Sequence, residues 1–342
     1  MPWTLQRSVA AARASLLAAT LSAACGCAGN ARGTETSVVA AEPTPAAAEP
    51  APAQAPALPQ PTPPPGAAPA EPAAPAALNT VTVKGDFAAP ESVLYDIEAD
   101  LYLVSNVNGS PLMADGNGFI SRVSPEGQII ALKWIGGPDS KVRLNAPKGM
   151  AISAGVLYVA DLDRIRKFDS QSGAPRGEIP VAGSTFVNDV AAGPDGTIYF
   201  TDSGLKAGFE RSGTDAVYKI HKNQAVALAR GKQLNQPNGL MVDAAGVWIV
   251  TYGAKELYDV KKGNKARVQA LPGGLLDGII RTSAGQLYVS SWELNQVLTG
   301  EPGGGFSKAF DANAPADIGY DVKRNRLLVP LMMENTLQFV QL

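Results

Sequence analysis

Six polar residues stand in register along most of the chain: Glu91, Lys148, Asn188, Asn238, Asp277 and Asp317. Each lies nine or ten residues ahead of a short run of β-branched, aromatic and aliphatic residues. Asp and Asn favour the loop before a strand because they bond to local backbone. That accounts for Asp277-Gly278 taken alone, but it explains Glu91 and Lys148 poorly. Three carboxylates and one ammonium gathered away from water need a compensating cation. The donors are oxygens, with no His or Cys among them. A hard divalent ion is therefore expected: Ca²⁺ first, with Zn²⁺ or Mn²⁺ also possible. Lys148 is expected to pair with Asp317 or Asp277 and to hold a substrate oxygen; the alternative is that it replaces the metal outright.

The elements that would position these groups are repeats. The runs are LYLVSN from Leu101, LYVAD from Leu157, IYFTDS from Ile198, VWIVTY from Val247, LYVSSW from Leu287 and LLVPLM from Leu327. They are spaced 56, 41, 49, 40 and 40 residues apart, the signature of an all-β, six-bladed β-propeller with four-stranded blades. In the second repeat the strands read as Gly149–Ser153, Leu157–Ala160, Ile165–Asp169 and Gly177–Val181. Gly, Asn, Asp and Ser mark the turns between strands. The last repeat has three strands, and Thr80–Lys84 is free to supply the fourth and close the ring. The starts of the innermost strands then converge at one mouth of the central channel. The Gly/Asn-rich insertion Asn106–Gly118 should overhang that mouth, as a lid or as one wall of a pocket.

The remainder is carrier. Residues 1–27 read as a signal peptide with an imperfect lipobox. Arg7 and Arg13 precede an apolar run too short to span a bilayer, and L-S-A-A-C-G-C follows, with Cys25 as the expected lipidation site and Cys27 the weaker candidate. Residues 28–78 are Pro/Ala-rich and expected to be a disordered linker; 79–342 form the propeller. The expected location is the bacterial envelope: periplasmic and lipid-anchored, or secreted. Both cysteines precede the propeller, which excludes a disulfide or a Cys nucleophile within it. A net charge of −2 with both signs interspersed argues against nucleic acid, and leaves the lipid anchor as the one contact with a membrane. A small-molecule ligand and a monomeric ring are expected.

These motifs resemble the gluconolactonase/regucalcin (senescence marker protein) family of six-bladed propellers. The resemblance runs from about Val81 to Leu342. It rests on Glu91 of P-E-S-V-L-Y-D, Asn188 of N-D, Asn238 of Q-P-N-G-L and Asp277 of L-L-D-G-I-I. It implies that Glu91, Asn188, Asn238 and Asp277 hold a metal, and that Asn188 also meets the substrate or its water. Phe186 stands where sugar-lactone hydrolases carry an Arg, and Val190 replaces a Gly. P-E-S is closer to the strictosidine-synthase-like branch, and the catalytic histidines of paraoxonases have no counterpart. The implied activity is metal-dependent hydrolysis of a lactone or related ester. Asp277 or Asp189 would be the base, Lys148 a further catalytic group, and Asn188, Phe186 and Asp317 would contact substrate. The competing reading is a non-catalytic envelope propeller that binds a ligand or protein at the same face, with a structural metal or none.

Overall fold

The structure is a computed structural model that describes residues 78–342. The leader with Cys25, and the linker as far as residue 77, lie outside the described residues. Six four-stranded antiparallel sheets follow one another around a ring. Blade 1 spans Pro90–Gly136 and blade 2 spans Pro147–Pro180. Blades 3, 4 and 5 begin at Val187, Pro237 and Leu276, and blade 6 takes the C-terminus. The innermost strand of each blade touches that of the next, and the sixth touches the first.

The apolar runs read in the sequence are the second strands of the blades. Their neighbouring sheets pack on both faces, so both alternating sets of side chains are apolar. Leu103 faces the gap between blades 1 and 2, while Tyr102 and Val104 face the gap between blades 6 and 1. Ile249 and Trp248 divide in the same way between the two sides of blade 4. Six apolar clusters result, one in each gap between blades.

Thr80–Lys84 closes the ring, as expected. It is the outermost strand of blade 6 and pairs with Thr336–Gln341 from Thr80 opposite Val340 to Lys84 opposite Thr336. Its Val83 is buried against Phe87 and Phe339. One element was not legible in the sequence. In blade 3, Leu205–Lys206 and Glu210–Arg211 form a small hairpin above the sheet, with strands too short to carry a periodic pattern.

A chain starting at residue 79 should keep the melting temperature of the full chain. A chain starting at residue 86 loses the closing ladder and the burial of Val83, worth about 2 kcal/mol for the side chain alone. It should melt at least ~5 °C lower. Equal melting temperatures for the two truncations would show that the ring does not depend on this strand.

Candidate axial site

The six residues in register do occupy one place. Glu91, Lys148, Asn188, Asn238 and Asp277 are each the second residue of an innermost strand, and Asp317 lies two residues before the sixth. A β-bulge aims them. In blades 2 to 5 the inner ladder breaks at Pro147/Met150, Val187/Val190, Pro237/Leu240 and Leu276/Ile279, and in blade 1 at Pro90/Ser92. The bulge takes the axial residue out of the ladder and bends the strand toward the channel. The glycines of the N-G and D-G motifs have a steric cause. A Cβ on Gly239 would strike the Asp277 carbonyl oxygen, and one on Gly278 would strike the backbone around Asp317.

Hydroxyls on the second strands accept the N–H groups that the bulges release. Ser105 Oγ accepts from Ser92 N at 3.0 Å, Thr201 Oγ1 from Asp189 N at 3.1 Å and Ser290 Oγ from Gly278 N at 2.7 Å. Thr201 and Ser290 then donate to the carbonyls of Asn238 and Ala316 in the following blade, at 2.7 and 2.8 Å. Blades 3 and 4, and blades 5 and 6, are thereby locked at their starts.

The side chains form a chain of contacts around the mouth. Asn188 Nδ2 donates to Ser203 Oγ at 3.0 Å and to Asn238 Oδ1. Asn238 Nδ2 donates to the Leu276 carbonyl at 3.0 Å. Trp292 Nε1 donates to Asp277 Oδ2 at 2.8 Å, and Ser92 Oγ to Asp317 Oδ2 at 2.5 Å. Glu91 Oε2 is buried with no partner. Asp189, beside the ring, accepts from Val190 N at 2.6 Å and, in the next blade, from Leu240 N at 2.7 Å, so both its oxygens are engaged.

Lys148 departs from the expected pairing with Asp317 or Asp277. It forms no ion pair among the described residues. Its Nζ donates to the Ala146 carbonyl at 3.0 Å and sits 4.3 Å from the centre of the Phe186 ring. The charges it feels most are Glu91 and Asp161. Blade 2 stands beside blade 1 and away from blade 5, and Ser92 already takes an oxygen of Asp317. Phe186 is buried against the ammonium, the one apolar side chain of the predicted site.

The electrostatics follow from this crowding. Burial, and then the neighbouring carboxylates Asp277 and Asp317, hold the Glu91 carboxyl well above its ordinary range. Burial with Asp317 close by pushes Asp277 up to about 7. Burial likewise raises Asp317 to about 7 and holds Asp189 high, and it lowers Lys148. Without a cation, the ring relieves its charge by holding protons.

In donor chemistry the site suits a hard cation. Glu91 brings an unpartnered buried oxygen, Asp277 an oxygen beyond the one that Trp292 occupies, and Asn188 and Asn238 bring amides. Among the described residues no three His, Cys, Asp or Glu side chains are grouped as a metal cluster; the four residues that the resemblance implies are two carboxylates and two amides. The only histidine, His221, is exposed at the end of a third strand opposite Gln224, away from the mouth.

Ser203, Tyr252 and Trp292 were not singled out from the sequence. Each follows directly on its blade's second strand, in T-D-S, V-T-Y and S-S-W. That shared register was the available signal. Asp277 lies close enough to Tyr252 to add to the upward shift that burial imposes on its phenol.

No protein-family model matches the sequence, and no curated protein matches it. Solved structures do share its fold. A gluconolactonase of Xanthomonas campestris is 19% identical over 77% of this chain and 89% of its own, with a TM-score of 0.58. A luciferin-regenerating enzyme is 14% identical over 77% and 95%, also at 0.58. The virginiamycin B lyase of Staphylococcus aureus is 14% identical over 78% and 99%, at 0.51. At these identities the likeness establishes the six-bladed propeller and nothing finer.

The raised carboxyls carry a sign. Asp277 and Asp317 bind protons more tightly in the folded chain than in the unfolded one. The folded state therefore holds more protons between about pH 4 and about 7, and stability falls as pH rises through that window. In chelator, Asp277→Asn should match the wild type near pH 4 and melt several degrees above it at pH 8. Thermal melts across that range check this; a difference independent of pH would show that Asp277 is not strained by its charge.

Proposed function

We propose that this protein is a hydrolase that opens a lactone or related ester at the axial mouth, assisted by a divalent cation, with Ca²⁺ the leading choice. The observation that carries the reading is the cluster of buried carboxyls at the mouth, Glu91 with an oxygen that no hydrogen bond reaches and Asp277 close by, with which Lys148 forms no ion pair. A scaffold has no need of such a group, since burying an unpaired carboxylate is costly. Glu91, Asn188, Asn238 and Asp277 would hold the cation. When bound, it would polarise the ester carbonyl and help to ionise a water.

The chain's own residues supply the rest. Asp277, with one oxygen fixed by Trp292, keeps its second oxygen facing the site and would serve as the general base. Asp189 spends both oxygens on backbone N–H groups, so its part is to join blades 3 and 4. Lys148 keeps donors beyond the one given to Ala146 and can hold a substrate oxygen. Phe186 offers apolar area where an Arg would offer a fork of donors, which favours a ring poor in hydroxyls. The virginiamycin B lyase has a histidine-to-alanine variant described as catalytically inactive. His221, the single histidine here, is remote from the mouth, so hydrolysis is favoured over that lyase chemistry. The sequence supports an envelope location, with Cys25 as the anchor, for a monomeric ring.

One observation favours a non-catalytic, ligand-binding propeller instead: Asn188 and Asn238 bond to each other, and Ser92 satisfies an oxygen of Asp317. Metal analysis and a lactone panel followed with a pH indicator separate the two. For the hydrolase, Glu91→Gln and Asp277→Asn should each lower kcat/KM at least ~100-fold. Calcium should raise the melting temperature of the wild type alone, by about 2.7 kcal/mol of stability at a hundredfold excess over Kd. Metal bound with no turnover of any lactone would select the binding reading.

The wild type should prefer an alkyl-substituted lactone to gluconolactone, and Phe186→Arg should narrow or reverse that ratio of kcat/KM. A wild type that prefers the sugar lactone would show that Phe186 does not line the reacting position.

A further inference from the structure

A second tier of side chains stands at the mouth beside the axial ring. Val107, Ser203, Tyr252 and Trp292 each follow directly on the second strand of a blade. Each donates its backbone N–H to the carbonyl two residues ahead of its own blade's axial group. The acceptors are Ala89, Phe186, Gln236 and Leu275, at 3.1, 3.0, 2.9 and 3.1 Å. Ala89, Gln236 and Leu275 take left-handed backbone to present those carbonyls, with φ of 52°, 56° and 48°. Residues other than glycine seldom adopt that conformation, so the fold holds this register at some cost.

Two members of the tier reach inward to their own axial group. Ser203 Oγ accepts from Asn188 Nδ2 at 3.0 Å, and Trp292 Nε1 donates to Asp277 Oδ2 at 2.8 Å. Tyr252 stands between them on blade 4, whose inner strands pack directly on the innermost strand of blade 5. It is half-buried, and its ring belongs to none of the six apolar clusters. Its phenol hydroxyl forms no hydrogen bond among the described residues. Burial, and then the charge of Asp277, raise that phenol, so it keeps its proton.

Opening an ester moves two protons. One leaves the attacking water, and Asp277 takes it in the reading above. The other must reach the departing oxygen, because an alkoxide is a poor leaving group. Lys148 stands on blade 2, opposite blade 5 in the ring, bonded to the Ala146 carbonyl and facing the Phe186 ring. Tyr252 is the uncommitted donor on the Asp277 side of the mouth.

We propose that Tyr252 is a further catalytic residue, the proton donor to the oxygen that leaves. The proposal rests on the hydrolase reading. The water oxygen bonds to the carbonyl carbon and gives one proton to Asp277. The bond from that carbon to the ester oxygen then breaks, its electron pair stays on the oxygen, and the Tyr252 proton joins it to give the alcohol. Asp277 returns its proton to the phenolate, so both groups regain their starting state with one water consumed.

The test compares the full chain with its Tyr252→Phe variant, calcium present, on the acetate esters of ethanol, trifluoroethanol, phenol and p-nitrophenol, with γ-valerolactone as the cyclic member. The hydroxyl bonds to nothing in the protein, so the variant should melt as the wild type does. Its kcat/KM for ethyl acetate and for the lactone should fall about 100-fold. The loss should shrink steadily as the leaving oxygen becomes more acidic, to about threefold for p-nitrophenyl acetate, whose phenolate departs without a proton. Ser203→Ala, which loosens Asn188, should instead lower every ester by one common factor. A Tyr252→Phe loss that is absent or equal for every ester, or a loss graded in the same way in Ser203→Ala, overturns the proposal and leaves the hydrolase standing. A wild type that opens no ester or lactone overturns both.

Discussion

The structure depends on one constraint, the convergence of six strand starts around a single axis. Sheets that twist and pack radially leave little room where their inner edges meet. A regular ladder carried to the end would drive neighbouring strands into one another. The bulge at Lys148, Asn188, Asn238 and Asp277 relieves this, because it removes two residues from the ladder and turns the strand. Gly239 and Gly278 complete the relief where the next blade's backbone arrives within contact of the missing side chain. Thr201 and Ser290 then satisfy N–H groups that the bulges set free and tie the start of blade 4 to blade 3 and the start of blade 6 to blade 5. The polar ring is thus built into the way the propeller closes.

The same convergence generates the chemistry. Carboxylates that would be ordinary on a surface are desolvated and set near one another at the mouth. Glu91, Asp277 and Asp317 all retain protons more tightly as a result, with burial the larger cause in each. The six apolar clusters between the blades keep the inner edges from spreading to relieve that repulsion. The packing energy of the blades therefore sustains the electrostatic strain at the axis, and a proton or a cation at the mouth releases it. Lys148 contributes less than its charge suggests, since it bonds a carbonyl and faces an aromatic ring.

The mouth divides into a repeated part and a varied one. The axial ring is polar and common to all six repeats. The segments that leave the second strands differ from blade to blade: the insertion in blade 1, the hairpin in blade 3, and Tyr252 and Trp292 in blades 4 and 5. A repeat architecture can vary these segments without disturbing the ladder below them.

The sequence by itself determined the number of blades, the strand that closes the ring and the six axial positions. Each of these is a periodic property, repeated at nearly constant spacing, and repetition makes even weak local signals readable. It also marked Asn238-Gly239 and Asp277-Gly278 as a pair of motifs, though not the steric reason for their glycines. Only the tertiary structure decided what each axial group touches. Whether Lys148 met a carboxylate or a carbonyl depended on which blades stand side by side. Asp189, a candidate base in the sequence, has one oxygen on the adjacent Val190 N and the other on Leu240 N of the next blade, a contact that no local pattern announces. The hairpin at Leu205 was likewise invisible, because two-residue strands have no period. Repetition along the chain is written in the chain; contacts across the ring exist only once the ring has closed.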